Sequence, residues 1–207
     1  MNASFHHFSQ DDIAQLDRNF RRNFINTLSG FKSLSLCGTI NTEGQHNLAL
    51  MSNIIHIGAN PPLLGLLFRP HTVPRHSLEN LLATGFFTLN HVRESYLEAA
   101  HQASAKYDSE VSEFEAVGLT PQTGTLHPAP YVAEAPVQIG LAYEERHDIA
   151  ANETILIVGR IVEVQVEQTA LQADGYLDLD QTGTLTVAGL DAYFKPAPLG
   201  RKPYARP

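Results

Sequence analysis

Apolar residues fall at helical spacing over one long stretch. Ile13, Leu16, Phe20, Phe24 and Leu28 recur every three or four residues, which predicts one amphipathic helix over about residues 9–29. Ser9-Gln-Asp-Asp12 can close a capping box at its start, and Gly30 can end it. Arg18, Arg21 and Arg22 then lie on the solvated face.

Beyond Gly30 the pattern changes to strands. Residues 33–40 and 47–57 flank Asn41-Thr-Glu-Gly44 and read as a hairpin. Residues 63–68 form a third strand after the break at Asn60-Pro-Pro62, and residues 86–92 a fourth after Gly85. Between them, Leu78, Leu81 and Leu82 form the inward face of a short helix with Ser77 as its N-cap. Residues 94–106 read as helical and residues 110–117 as a second short helical turn. Residues 118–130, with three prolines, read as irregular. Two long strands follow, 137–147 and 154–167. The second opens as a continuous apolar run and then alternates, as a strand does when both faces are buried at one end only. Gly159 marks a bulge or bend in it. The segment from about 192 to 207 is a proline-rich, basic tail. Strands that do not alternate with helices predict a mainly β chain, an antiparallel barrel or sandwich, not a doubly wound parallel sheet.

Composition narrows the function. With 207 residues, 43% of them hydrophobic, the whole chain suits one domain with a substantial core. A formal charge of −8 argues against a nucleic-acid partner. A single cysteine, Cys37, excludes an intrachain disulfide and sits in an apolar pattern that predicts an inert, buried thiol. The first residues lack a basic segment followed by an apolar run, and no apolar stretch is long enough for a membrane helix, so a cytoplasmic location is expected.

Several chemistries lack their motifs. No Gly-x-Gly-x-x-Gly follows the first strand, and there is no P-loop and no Gly-x-Ser-x-Gly elbow. The ten histidines show neither His-x-His nor His-Glu-x-x-His, so no metal site is expected. One stretch does point to a ligand. Arg69, His71, Arg75 and His76 crowd the start of the Ser77 helix, where free N–H groups and the helix dipole favour an anion. Residues 44–78 contain no Asp or Glu, where the chain average would place about four. Just before this basic stretch, Asn47-Leu-Ala-Leu-Met-Ser-Asn53 is a strand of small residues that turns polar, where a planar ring could approach the backbone.

These segments occur in a recognisable order: Asn47-Leu-Ala-Leu-Met-Ser52, Asn60-Pro-Pro-Leu63, Arg75-His-Ser-Leu-Glu-Asn80, Gly85-Phe-Phe-Thr-Leu-Asn90, Glu113-Phe-Glu-Ala-Val-Gly-Leu-Thr-Pro121 and Ala133-Glu-Ala-Pro136. The succession resembles the flavin reductase-like family of FMN-binding split-barrel proteins over about residues 25–200. The resemblance implies an antiparallel Greek-key split β-barrel with a few peripheral helices. It implies a homodimer with FMN near the subunit interface, reduced by NADH or NADPH, and electrons passed to an acceptor or a partner monooxygenase. Carried over by position, Leu50, Met51, Ser52 and Asn53 would line the flavin ring and ribityl chain. Arg69, Arg75, His76 and Ser77 would hold the phosphate, and Ser104 and Lys106 lie in a loop that would close over the flavin. His76 stands where many relatives carry an acidic residue. His127 or the 101–110 loop would border the nicotinamide. No catalytic acid or base is assigned, because the cofactor carries the hydride chemistry. Two other readings remain open: a flavoredoxin-like electron carrier, and a non-enzymatic split-barrel binding protein with another cofactor or none.

Overall fold

A computed structural model describes residues 4–108 and 110–206. In chain order the elements begin with α1 (Gln10–Gln15) and α2 (Arg18–Leu28). Strands β1 (Lys32–Ser33), β2 (Ser35–Ile40), β3 (His46–Met51), β4 (Ile54–Ala59) and β5 (Pro62–Phe68) follow. Then come α3 (His76–Thr84), β6 (Phe86–His91), α4 (Leu97–Gln102) and α5 (Glu113–Val117). The chain continues through β7 (Pro121–Gln122), β8 (Tyr131–Val132), β9 (Val137–Ile149), β10 (Thr154–Val166), β11 (Thr186–Ala188) and β12 (Ala192–Phe194).

Seven of these strands form one antiparallel sheet in the order β3-β2-β6-β9-β10-β5-β4. Its two edge strands, β3 and β4, are consecutive in the chain and separated only by Ser52 and Asn53. A flat seven-stranded sheet would hold its edges about 29 Å apart. The three Cα steps from Met51 to Ile54 span at most about 11 Å. The sheet must therefore curl until its edges meet. The edges do not pair with each other in a ladder, and this leaves the barrel split. The Asn53 C=O accepts the Leu67 N–H at 3.0 Å, which extends the β4–β5 pairing back to the link.

Inside the barrel, Cys37, Leu66, Phe68, Phe87, Leu89, Leu141, Ile155 and Ile157 pack together, with Leu78 and Leu81 of α3 as a plug. A second cluster lies on the outer face, where Leu34, Leu36, Leu48 and Val92 pack against Phe114, Ala100 and Val132. The proline-rich segment before β8 is laid on this face by polar contacts. The Thr88 hydroxyl donates to the Pro130 C=O at 2.6 Å, and Asn90 accepts the Val132 N–H at 3.0 Å. His127, Tyr131 and Glu163 form a hydrogen-bonded chain beneath it. Gly159 does mark a register shift between β9 and β10, and a Cβ there would lie 2.6 Å from the Phe87 ring.

Three expectations need correction. The predicted helix over 9–29 is two helices. The Ser9 capping box forms, but the Asp17 carboxylate accepts the N–H groups of Asn19 and Phe20 and starts a second helix. Neither helix buries a residue in its own chain, so Phe20, Ile25 and Leu28 remain exposed. The strand predicted over 47–57 breaks at Ser52 and Asn53, where the chain passes from one sheet edge to the other. The tail starting at 192 opens with β12, which pairs with β11. Further along, Arg201 is tied to Asp174 at 2.7 Å and lies over the Tyr176 ring.

Gly38 packs tightly against the backbone of that segment where it crosses the sheet. A Cβ there would collide with the Pro130 carbonyl oxygen, a backbone atom, and come within 2.6 Å of the Thr88 hydroxyl. Gly38→Ala is expected to lower unfolding stability by about 1–3 kcal/mol or more, as overpacking does. Denaturant titration checks this, and an unchanged midpoint contradicts it.

Candidate functional site

The site begins with the open edge of β3. The Leu48 N–H points away from β2 and donates to the Glu113 carboxylate at 3.0 Å. In an antiparallel ladder, alternate residues face alternate sides. The N–H and C=O of Leu50 therefore face the same open edge, two residues along. Past Leu50 the strand ends at Met51, and Ser52 and Asn53 form the link across the split.

Opposite this edge stands the start of α3. Leu78 and Leu81 bury its inner face, and Gly85 ends it in the left-handed conformation at φ 78°. The first helical bond runs from the Glu79 N–H to the Arg75 C=O. Arg75 is thus the N-cap residue and Ser77 lies inside the first turn. This corrects the predicted N-cap at Ser77. The Arg75 N–H is capped instead by the Glu79 carboxylate, which also binds His71 at 2.7 Å and is held below the usual carboxylate range, first by His71. The Ser77 hydroxyl accepts a hydrogen bond from the Asn47 amide at 2.9 Å and caps no N–H of the helix.

Between the two walls lies a cleft of about 620 Å³. Leu50, Met51, Ser52 and Asn53 line one side of it; Arg69, Arg75, His76 and Ser77 line another; Ser104 and Lys106 reach it from the loop after α4. These ten residues, carried over by position from the resemblance, all line this one space. The Arg75 guanidinium donates to the Pro70 C=O at 3.3 Å, which folds the 70–75 loop onto the helix start. Arg69 makes no side-chain hydrogen bond or ion pair among the described residues. His127 is not part of the cleft. It is buried, stacks on Phe86 at 5.7 Å and hydrogen-bonds to Tyr131. Residues 103–108 of the 101–110 loop do line the cleft, while Ser109 lies outside the described residues.

Sequence reasoning gave no individual role to three contributors. Asn47 is buried on β3 and hydrogen-bonds to Ser77 and Thr39, contacts that no local pattern announces. Tyr107 lines the cleft from the loop and accepts from Gln102 at 3.1 Å. Glu113 is buried at the cleft wall and caps the Leu48 N–H, a contact made across 65 residues of chain. Burial raises its carboxyl above the usual range, which weakens the charge it places beside the basic groups. Cys37 is fully buried, and burial pushes its thiol up to about 12, so it is no nucleophile. Among the described residues no three His, Cys, Asp or Glu side chains are placed to hold a metal ion. No helix among them is long and apolar enough to cross a membrane.

Residues 32–184 match the family model for the flavin reductase like domain. The fold superposes on a split-barrel protein from Shewanella frigidimarina NCIMB 400 assigned to the flavin reductases. The TM-score is 0.94 at 45% identity, covering 97% of this chain and 100% of that one. Nitrilotriacetate monooxygenase component B from Bacillus cereus gives 0.84 at 19% identity, over 97% of this chain and 100% of its own. An FMN-binding protein from Thermus thermophilus gives 0.68 at 22% identity, over 84% of this chain and 90% of its own. At these lower identities the likeness is one of fold.

The buried Glu113 gives the site a pH signature. Its folded-state pKa lies above the ordinary value of 4.5, so the unfolded chain releases the proton first. The stability contributed by the protonated group is present at low pH and is lost as pH rises from 4.5 towards the folded-state value. Glu113→Gln removes this loss. Its stability relative to the unsubstituted protein is expected to rise as pH increases from 4.5, as read by chemical denaturation at a series of pH values. A flat or falling difference contradicts the assignment.

Proposed function

The chain belongs to the flavin reductase-like family, and from that premise we propose that its cleft binds FMN and that the protein transfers hydride from NADH or NADPH to this flavin. The observation that carries the reading is the pairing of two unlike walls in one cleft. One wall is an open strand edge for a flat ring, and the other is a basic helix start for a phosphate. The volume lies within the range of about 300–1,000 Å³ usual for cofactor sites.

The residues present fit the group. Leu50, Met51, Ser52 and Asn53 would carry the ring and ribityl chain on their backbone and small side chains. Arg69, Arg75 and Ser77, with the free N–H groups at the start of α3, would hold the phosphate; His76 would adjoin it. Ser104 and Lys106 would cover the flavin from the loop after α4. Bound FMN supplies the hydride acceptor and the store of reducing equivalents. The chain contributes orientation and charge. The Leu50 N–H on the open edge, with those of Ser52 and Asn53 in the link, would favour negative charge at the ring end of the cleft, and the loop walls would limit water. No side chain need donate or remove a proton for hydride transfer itself.

We also assign a homodimer. Helices α1 and α2 bury nothing in their own chain, and edge strand β4 exposes Ile55 and Ile57. A second copy is the occupant in keeping with the family, and electrons would leave for an acceptor or a partner monooxygenase.

The protein is expected to retain FMN through desalting and to oxidise NADH or NADPH with flavin present. Arg69→Ala and Arg75→Ala should each weaken FMN binding by about 1.5–3 kcal/mol, the range for a hydrogen bond to a charged group. Fluorescence titration reads the affinity. Failure to take up FMN, FAD or riboflavin would end the reading. Light scattering should give twice the chain mass, and a monomer at micromolar concentration contradicts the dimer.

A further inference from the structure

We infer that Asn47 is a positioning residue that fixes the Ser77 hydroxyl as a donor into the cleft and so selects a phosphorylated ligand; the inference rests on the FMN reading above. Asn47 and Ser77 are 8% and 6% exposed, so neither exchanges its partners freely with water. The Asn47 amide turns its Nδ2 to two hydroxyls, donating one proton to Thr39 Oγ1 at 3.2 Å and one to Ser77 Oγ at 2.9 Å. Thr39 Oγ1 also receives the Asn80 amide at 3.3 Å, which holds the amide pair in register across β2, β3 and α3.

The consequence is a matter of proton count. A free serine hydroxyl can donate or accept. Ser77 Oγ already accepts from Asn47, so its own proton must go elsewhere. No acceptor for it is present among the described residues, and the side chain lines the cleft beside the unpaired N–H groups of the α3 start. A phosphate oxygen only accepts. Asn47 therefore presents Ser77 to the cleft as a donor, the role that a charged phosphate oxygen rewards most. Because Asn47 sits on β3 three residues before Leu50, the same strand that presents its edge to the ring also sets the donor for the phosphate.

The test compares the affinities of FMN and riboflavin, which differ only in the phosphate. Asn47→Asp keeps the side-chain shape but accepts the Ser77 proton and adds negative charge. FMN affinity is expected to fall about tenfold or more, with riboflavin affinity within about twofold. Equal losses for both flavins would show that Asn47 only holds the fold and would overturn the inference. So would no loss for either. If the unsubstituted protein binds riboflavin as tightly as FMN, the phosphate reading itself fails and takes this inference with it. Should Asn47→Asp not fold, Asn47→Leu decides. It should lower the FMN-to-riboflavin affinity ratio when Ser77 is present and leave that ratio unchanged in a Ser77→Ala background. A drop in both backgrounds overturns the inference.

Discussion

The structure depends on a geometric constraint: two residues join opposite edges of a seven-stranded sheet. Ser52 and Asn53 carry the chain from β3 to β4, and no flat sheet allows so short a passage. The curl that solves this encloses the inner core of Phe87, Leu141 and Ile157. It also leaves the β3 edge without a ladder partner at the place where the passage is made. An unpaired edge is ordinarily a liability. Here it faces a cleft instead of bulk solvent, and Glu113 satisfies the Leu48 N–H beside it.

The second wall follows from the same closure. β5 pairs with β4, so the chain leaves β5 next to the split and delivers Arg69, Arg75 and α3 to the open edge. The absence of acidic residues from 44 to 78 then has a spatial meaning, because that window supplies both walls. Charge is concentrated where the fold brings two segments together on an otherwise acidic chain. The buried amide of Asn47 joins the walls at their base through Ser77.

Much of this was legible in the sequence because it is local. Apolar runs and turn signals located the strands of the seven-stranded sheet but not the short β7, β8, β11 and β12, Gly159 located a bulge, and the basic stretch before Leu78 located the helix start. The errors share a cause. Ile13 to Leu28 keep helical spacing across Asp17, but the capping power of that carboxylate outweighs the apolar period and divides the helix. Ser77 looked like an N-cap by type, yet its oxygen is bonded to a strand 30 residues earlier. Glu113 read as part of a short helical turn, while its role depends on a contact 65 residues away. His127 was one of two candidates, with the 101–110 loop, for the border of the nicotinamide space, and the fold buries it against Phe86, Tyr131 and Gly140. Periodicity reports which face is buried, not which distant polar group meets it.

The most direct test is anaerobic stopped-flow of the FMN-loaded protein mixed with NADH or NADPH, following the flavin absorbance band. The account predicts that the band bleaches in step with loss of the nicotinamide signal, one flavin per nicotinamide, and much faster than with free FMN alone. A band that persists with both nucleotides would contradict it, and the cleft would then be a flavin-binding site without reductase activity.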